Sequence, residues 1–425
     1  MADRSVEAAP AAEWRRLWAR VSWGCRWRFL QEHGYDVTVF ESRTVGAGAS
    51  SGNAGWVCPG LTAPLPEPSI LSYGLRSLAA RDAPLRIPPT APLATWRFLA
   101  GFALHCTAKR WTAGVASYAG INAIAHESYD VLAAGGVTAV VHEAPMIAAF
   151  EDPRDAVPLR REVEVLASYG QDVSAVELSE DELHAVQPIL SPRAHFGLRL
   201  DGQRYLQPAE YTQSLAGSFV SRGGKIEEGV SVVGIRERAG SSRVHVDIAT
   251  SVLSVDVAVI ANGAWLQRLA GPTGVRMRVG SGRGYSFTVR ADEVLEAPLY
   301  LPSTRVACTP GPDPQSGWFR MAGTMEFRPP GYRLDDRRVQ AIVHSCTPYL
   351  RNVDWSSVTG EWVGPRPITS DGLPVIGATA LENVFVAGGH GMWGITLGPA
   401  TGRLLAERIA TGKLPPALAP FDPLR

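Results

Sequence analysis

The sequence predicts an α/β fold in which a parallel-sheet unit, assembled from separate segments, is joined to an antiparallel β-sheet unit with helices. Three observations carry this. "FLQEHGYDVTVFE" (29–41) has a helix end, a glycine stop at Gly34 and an alternating strand that ends in Glu41. The last block, "DGLPVIGATALENVFVAGGHGMWGITLGPATGRLLAERIATGK" (371–413), reads as turn, strand, Gly-rich turn and closing helix. Between them, residues 283–330 alternate apolar and polar residues with many turns, as in "RGYSFTV" and "WFRMAGTMEF".

A chain of 425 residues is long enough for two or three packed units. Its 41 basic and 41 acidic residues balance, which argues against nucleic acid or an acidic membrane surface as partner. No apolar run reaches the length of a membrane span, and the N-terminus has no apolar core of signal-peptide type. The five cysteines are scattered without C-x-x-C spacing, so a reduced cytosolic setting is the default and no metal site is expected.

Along the chain, "TVGAGASSGNAGWVCPG" (44–60) is a small-residue loop that a ligand can approach closely. Residues 61–90 are Pro-rich and irregular. From 91 to 135 the apolar spacing is helical, with Trp96, Phe98 and Phe102 read as core. The aromatic and basic mixture of "ATWRFLAGFALHCTAKRW" also suits a peripheral helix at the inner membrane face. "EVEVLASYG" and "SEDELHAVQPIL" read as helices, the second with Ser179 as N-cap and Glu182 three residues on. Residues 201–235 read as turn, helix, glycine stop and strand. Residues 241–265 form a hairpin-like pair and then an apolar run ending at Asn262-Gly263. The expected parallel-sheet unit therefore comprises 30–90, 160–270 and 355–425; the second unit comprises 91–159 and 271–354. Residues 1–29 stand apart.

They stand apart because a strand such as "YDVTVFE", in a dinucleotide-binding fold, follows a first strand, a Gly-rich turn and a helix. Residues 13–29, "EWRRLWARVSWGCRWRF", instead hold four tryptophans and no glycine before Gly24. The genetic code offers an explanation. Read one frame over, the codons of Trp18-Ala19 and Trp23-Gly24 force glycine, and Arg20-Val21 gives a third if Arg20 is encoded by CGG. The spacing is G-x-G-x-x-G, the phosphate-turn pattern. Leu17-Trp18, Ser22-Trp23, Gly24-Cys25 and Arg26-Trp27 yield only Leu, Met or Val, and Trp27-Arg28 yields alanine for the usual codon. Glu41 lies 18 positions after the last of these glycines, close to the roughly 20 expected of a ribose-binding acid. Chance in GC-rich DNA is the competing account. The joint match of spacing and distance favours a disrupted frame that returns near Arg28. The first strand and Gly-rich turn are then lost, and a helix such as "AEWRRLWARV" packs in their place.

From "YDVTVFE" onward the chain resembles the FAD-dependent amine and amino-acid oxidoreductases of the D-amino acid oxidase superfamily, and within it most closely the bacterial D-amino acid dehydrogenases. "SSGNAGWVCPG" is similar to the family's S-x-A-N-A-G-x-x-x-P-G. "GRGYSFTV" and "RMAGTMEF" are similar to R-G-Y-S-L-T and R-x-A-G-T-x-E. "GPRPITSDGLPVIG" and "VAGGHGMWGITLGPATG" are similar to G-x-R-P-x-T-x-D-G-x-P-x-I-G and G-H-G-x-x-G. The resemblance implies a Rossmann-like FAD-binding domain with an antiparallel substrate domain. It implies oxidation of a D-amino acid to the 2-oxo acid and ammonia, with electrons passing to a quinone or O₂. A glycine- or sarcosine-type amine oxidase is the alternative, and a flavin-free inactive product of a disrupted gene is another.

For FAD, the expected ligands are Glu41 at the ribose and Ser50, Ser51, Asn53, Ala54 and Gly55 along the pyrophosphate and flavin edge. Val232 is expected at the adenine, and Asn262 and Gly263 at a second close approach. Gly389, Gly391 and Gly394 would let the start of the last helix face the flavin, where its dipole stabilises negative charge. For substrate, Arg366 supplies the planar fork a carboxylate needs, against a rival reading as an ion pair with Asp371. Tyr285 is a second candidate for that carboxylate, against a reading as core. His390 is a candidate base.

Overall fold

The computed structural model describes residues 16–20, 25–70, 83–237 and 242–425. Six strands form one sheet in the order Lys225–Glu228, Asp36–Glu41, Arg16–Arg20, Val257–Ile260, Val384–Gly388, Val375–Ala378. The first five run parallel and the last pair is antiparallel. This is the Rossmann-like half of an α/β fold, as the sequence predicts.

One expectation is corrected here. Arg16–Arg20 is not lost and is not helical; it is the third strand of the sheet. Trp18 pairs with Thr38 on one side and Ala258 on the other. The reason is the backbone. A gap between Asp36–Glu41 and Val257–Ile260 would strand two rows of buried N–H and C=O groups. Any residue except proline can fill those ladders, and strand preference yields readily to such a context. The helix Cys25–Glu32 then crosses to Asp36–Glu41, giving a parallel strand–helix–strand unit. Residues 21–24, where the Gly-rich loop is expected, lie outside the described residues.

Arg28 sits in that helix with 2% of its surface exposed. Its guanidinium donates to Glu32 Oε1 (2.7 Å) and to the Gly135 carbonyl (3.2 Å), while its Nε finds no acceptor. The off-frame codon spanning Trp27 and Arg28 encodes alanine if Arg28 has a CGN codon.

The second sheet runs Val353–Thr369, Val279–Ala291, Trp318–Phe327, Val306–Pro310, Leu299–Leu301, Met146–Phe150, Phe196–Leu200, Ala175–Leu178, with Leu85–Arg86 also paired to Trp318–Phe327. Its pairings are antiparallel except those of Leu299–Leu301 with Met146–Phe150 and of Leu85–Arg86. Ala175–Leu178 and Phe196–Leu200, placed by the sequence in the first unit, are strands of this sheet. Val232–Glu237, Val244–Ile248 and Ser251–Val255 form a separate antiparallel sheet containing the expected hairpin.

Ser179 caps the helix Glu180–Val186 in the expected reciprocal box with Glu182. Phe98 and Phe102, on the helix Leu93–His105, are buried against Phe327, but Trp96 is 39% exposed and is not core. Among the described residues no helix is long and apolar enough to cross a membrane.

Candidate active site

The C-terminal ends of Val257–Ile260 and Val384–Gly388 open onto a cleft, the usual ligand position in an open α/β sheet. Three elements close it: the small-residue loop at Asn53, the strand Val353–Thr369 at Arg366, and the start of the helix Gly394–Thr411. Asn53, Gly263, Arg366, His390, Gly391 and Gly394, all expected from the sequence, line it together. Ala49, Ala261, Pro367, Ala387, Gly388 and Ile395 complete the wall and were not singled out. For Ala49, Ala261, Ala387 and Gly388 the signal was present as small residues near those that were, since a flat ligand between strand ends needs neighbours without bulk.

Arg366 is the charged group of the cleft. Its Nη1 donates to the Thr324 carbonyl (2.9 Å), and burial lowers its guanidinium to about 10, so it is cationic at neutral pH. The rival ion pair does not form. Asp371 is held by Arg425, with Nε–Oδ2 at 2.9 Å and Nη2–Oδ1 at 3.2 Å. Among the described residues Arg366 has no ion-pair partner, and a desolvated guanidinium facing a cleft is a site for an anion.

Opposite, the 18-residue helix Gly394–Thr411 begins without a side-chain cap. Its positive end therefore points into the cleft. Gly391 has φ +57° with open space where a Cβ would lie, and Gly389, at φ +74°, would bring a Cβ within 2.6 Å of Thr369 Cγ2. Gly391 leaves the cleft open to a close approach, whereas the expected Gly389 is not in the cleft wall and serves packing against Thr369.

A family model described as "DAO: FAD dependent oxidoreductase" matches residues 27–408. The chain belongs to this family of FAD-dependent oxidoreductases. A D-amino acid dehydrogenase of Methylobacterium nodulans is 30% identical over 397 residues, covering 91% of this chain and 92% of that protein. The D-amino acid dehydrogenase of Xanthobacter autotrophicus is 27% identical over 396 residues, with the same shares covered. Among solved structures, glycine oxidase from Geobacillus kaustophilus superposes with a TM-score of 0.70 at 22% identity, covering 97% of this chain and 99% of that one. L-proline dehydrogenase from P. horikoshii gives a TM-score of 0.70 at 15% identity, covering 97% and 98%. These structural likenesses speak to fold.

FAD is the family's cofactor, and the cleft suits it on the flavin side: small walls, a helix N-terminus and, at its rim, a buried Asn262 Oδ1 without a partner. Asn262 Nδ2 donates to the Trp265 carbonyl (2.8 Å), which fixes that oxygen's direction. Glu41 ends its strand as expected, its Oε1 accepting from the Arg43 amide (3.0 Å). On the phosphate side the sequence does not suit FAD, because Trp18 to Trp23 contain no glycine. The match to the family model starts only at residue 27.

The other expected ligands, and the Asn53 side chain in the cleft wall, have the following partners. Ser50 is buried, Ser51 Oγ donates to the Gly46 carbonyl (2.8 Å), and Asn53 Oδ1 accepts from the Gly55 amide (2.9 Å). The Ala54 carbonyl accepts from Thr309 Oγ1 (2.7 Å), docking this loop on the larger sheet. A Cβ on Gly55 would meet the Leu206 carbonyl, so this glycine serves packing. Val232 is core of the three-stranded sheet, its backbone paired with Ile248.

Two expected catalytic residues are engaged in buried hydrogen bonds. Tyr285 is fully buried, and its hydroxyl donates to Glu326 Oε2 (2.8 Å). Burial and this bond raise its pKa. Glu326 also takes Arg283 Nη1 at 3.5 Å, so Tyr285 completes a buried charged cluster and does not face a substrate carboxylate. His390 lines the cleft, but its Nε2 lies 2.9 Å from Thr401 Oγ1 on the last helix, and the residue is buried. That ring position gives it a structural bond in place of a base's reach. Tyr285→Phe is accordingly expected to leave KM for the substrate within about threefold while lowering stability by roughly 1–3 kcal/mol, because Glu326 loses a buried donor. Steady-state kinetics and thermal unfolding of the variant would check this; a large rise in KM at unchanged stability would return Tyr285 to the substrate.

Proposed function

We propose that this chain oxidises a D-amino acid to its 2-oxo acid and ammonia. The observation that carries the reading is Arg366, a cationic fork in the cleft that, among the described residues, bonds to a backbone carbonyl and has no ion-pair partner. A carboxylate placed against it has its Cα held toward the start of the last helix. When bound, FAD supplies the two-electron acceptor for the hydride that leaves Cα. The chain's own part is to orient and to exclude water: Arg366 fixes the carboxylate, and the small cleft wall leaves room for a planar group. No side chain in the described cleft wall is placed as a base. The substrate amine therefore enters neutral, having lost its proton to solvent, and the rate rises with pH through that deprotonation. The imine formed is hydrolysed by water, and the electrons leave to a quinone or to O₂. The relatives named D-amino acid dehydrogenase support an acceptor other than O₂.

A second reading rests on Trp18 to Trp23: the chain as translated lacks the phosphate turn and is a flavin-free product of a disrupted frame. The test of the main reading is turnover by the full-length protein supplied with FAD. D- and L-amino acids, glycine and sarcosine would be assayed with an artificial electron acceptor under argon, and again with O₂ alone. Turnover of D-amino acids that needs the acceptor is the expected outcome. Turnover of glycine or sarcosine with O₂ would favour the amine-oxidase alternative, and a flavin-loaded protein inactive on every compound would end the proposal.

A further inference from the structure

Arg366 needs a seat, and the second sheet provides one through an irregularity. In the pairing of Val279–Ala291 with Trp318–Phe327, Arg283 faces Glu326 and Tyr285 faces Gly323. Gly284 therefore stands opposite two residues, Thr324 and Met325, which is a β-bulge. Thr324 takes a left-handed conformation at φ +58°, unusual for a β-branched residue. The bulge turns its carbonyl out of the ladder, and that carbonyl accepts from Arg366 Nη1 at 2.9 Å. Gly284 is also paired with Gly364 on the other side. A Cβ on Gly284 would overlap the Arg366 guanidinium. On the opposite face, Arg283 and Tyr285 hold the fully buried Glu326 and so keep the strands in this register.

We infer that Gly284 and the Thr324 bulge are positioning residues for Arg366: the missing side chain at 284 lets the guanidinium lie flat on the sheet, and the displaced carbonyl at 324 sets which nitrogens face the cleft. The inference rests on Arg366 being the carboxylate-binding group only for its effect on kinetics. The steric half stands by itself.

The experiment is a double-mutant cycle between Gly284→Ala and Arg366→Ala, read first by thermal unfolding, which needs neither flavin nor turnover. Gly284→Ala is expected to lower Tm by about 2–4 °C when Arg366 is present, through overpacking, and by less than about 1 °C in the Arg366→Ala background. If Gly284→Ala alone fails to fold but the double variant folds, the same conclusion holds. Equal losses in both backgrounds, or a double variant that also fails to fold, would overturn it. The second reading is KM for a D-amino acid in the FAD-supplemented protein. Gly284→Ala should raise it roughly tenfold to a hundredfold, with little further rise when added to Arg366→Ala. If Arg366→Ala itself leaves KM unchanged, the carboxylate role fails while the unfolding cycle still decides the seat.

Discussion

A chain in which residues 16–28 are replaced by the peptide of the shifted frame is expected to hold FAD about 10²- to 10⁴-fold more tightly than the chain as it stands. The turn would regain two charge-assisted bonds from backbone N–H groups to the pyrophosphate, each of about 1.5–3 kcal/mol. The structure sharpens this expectation. Because Arg16–Arg20 already fills the strand between Asp36–Glu41 and Val257–Ile260, the sheet does not wait on the restored frame. The gain should therefore appear in flavin affinity, with a much smaller change in the thermal stability of the flavin-free protein. The ratio of flavin to protein after dialysis, read from visible absorption, measures it. A chain of the present sequence that keeps about one FAD per molecule would show that the turn is dispensable. The gene itself carries a prior check, since the frame account requires an Arg20 codon that ends in G, CGG or AGG.

Arg366→Ala is expected to lower kcat/KM for a D-amino acid roughly 10²- to 10³-fold, chiefly through KM, because the half-buried fork makes charge-assisted bonds that water cannot replace. Arg366→Lys should recover only part of this, having a point charge in place of a planar pair of donors. An amine of similar size without a carboxylate should be turned over equally by all three proteins. The pH dependence follows from protonation. A guanidinium lowered to about 10 is charged below that pH and neutral above it, so substrate affinity is full at neutral pH and falls as pH rises through about 10. The Arg366→Ala protein should lack this alkaline loss. An alkaline limb that survives the substitution would assign it to another group, and an unchanged KM would remove Arg366 from the substrate.

Much of the site is legible in the sequence because small residues in order leave a signal. Asn53, Gly263, Arg366, Gly391 and Gly394 are each marked by a local pattern; Gly263 follows a strand end and Gly394 opens the last helix, while Asn53 comes from a loop and Arg366 from a strand of the larger sheet. Tyr285 and His390 are not legible in this way. A tyrosine beside an alternating strand and a histidine between glycines carry the same local signal whether the ring faces the cleft or the core. Side-chain direction depends on partners distant in sequence: Glu326 for Tyr285, Thr401 for His390. The same holds for Trp96, whose helical spacing suits a core position while the helix leaves it 39% exposed.

The sequence by itself determined the fold class, the family and the anomaly at residues 13–28. All three are carried by local patterns and their order, down to an inconsistency that only the genetic code exposes. Only the tertiary structure decided what fills the place of the first strand, and what Arg366 is free to bind. The first is settled by backbone hydrogen bonding, which demands a strand between two parallel neighbours whatever side chains it carries. The second is settled by competition for charge: Asp371 is taken by Arg425, and the bulge at Thr324 offers Arg366 a carbonyl and no carboxylate. Neither competition can be read one segment at a time, since its outcome depends on which distant group arrives.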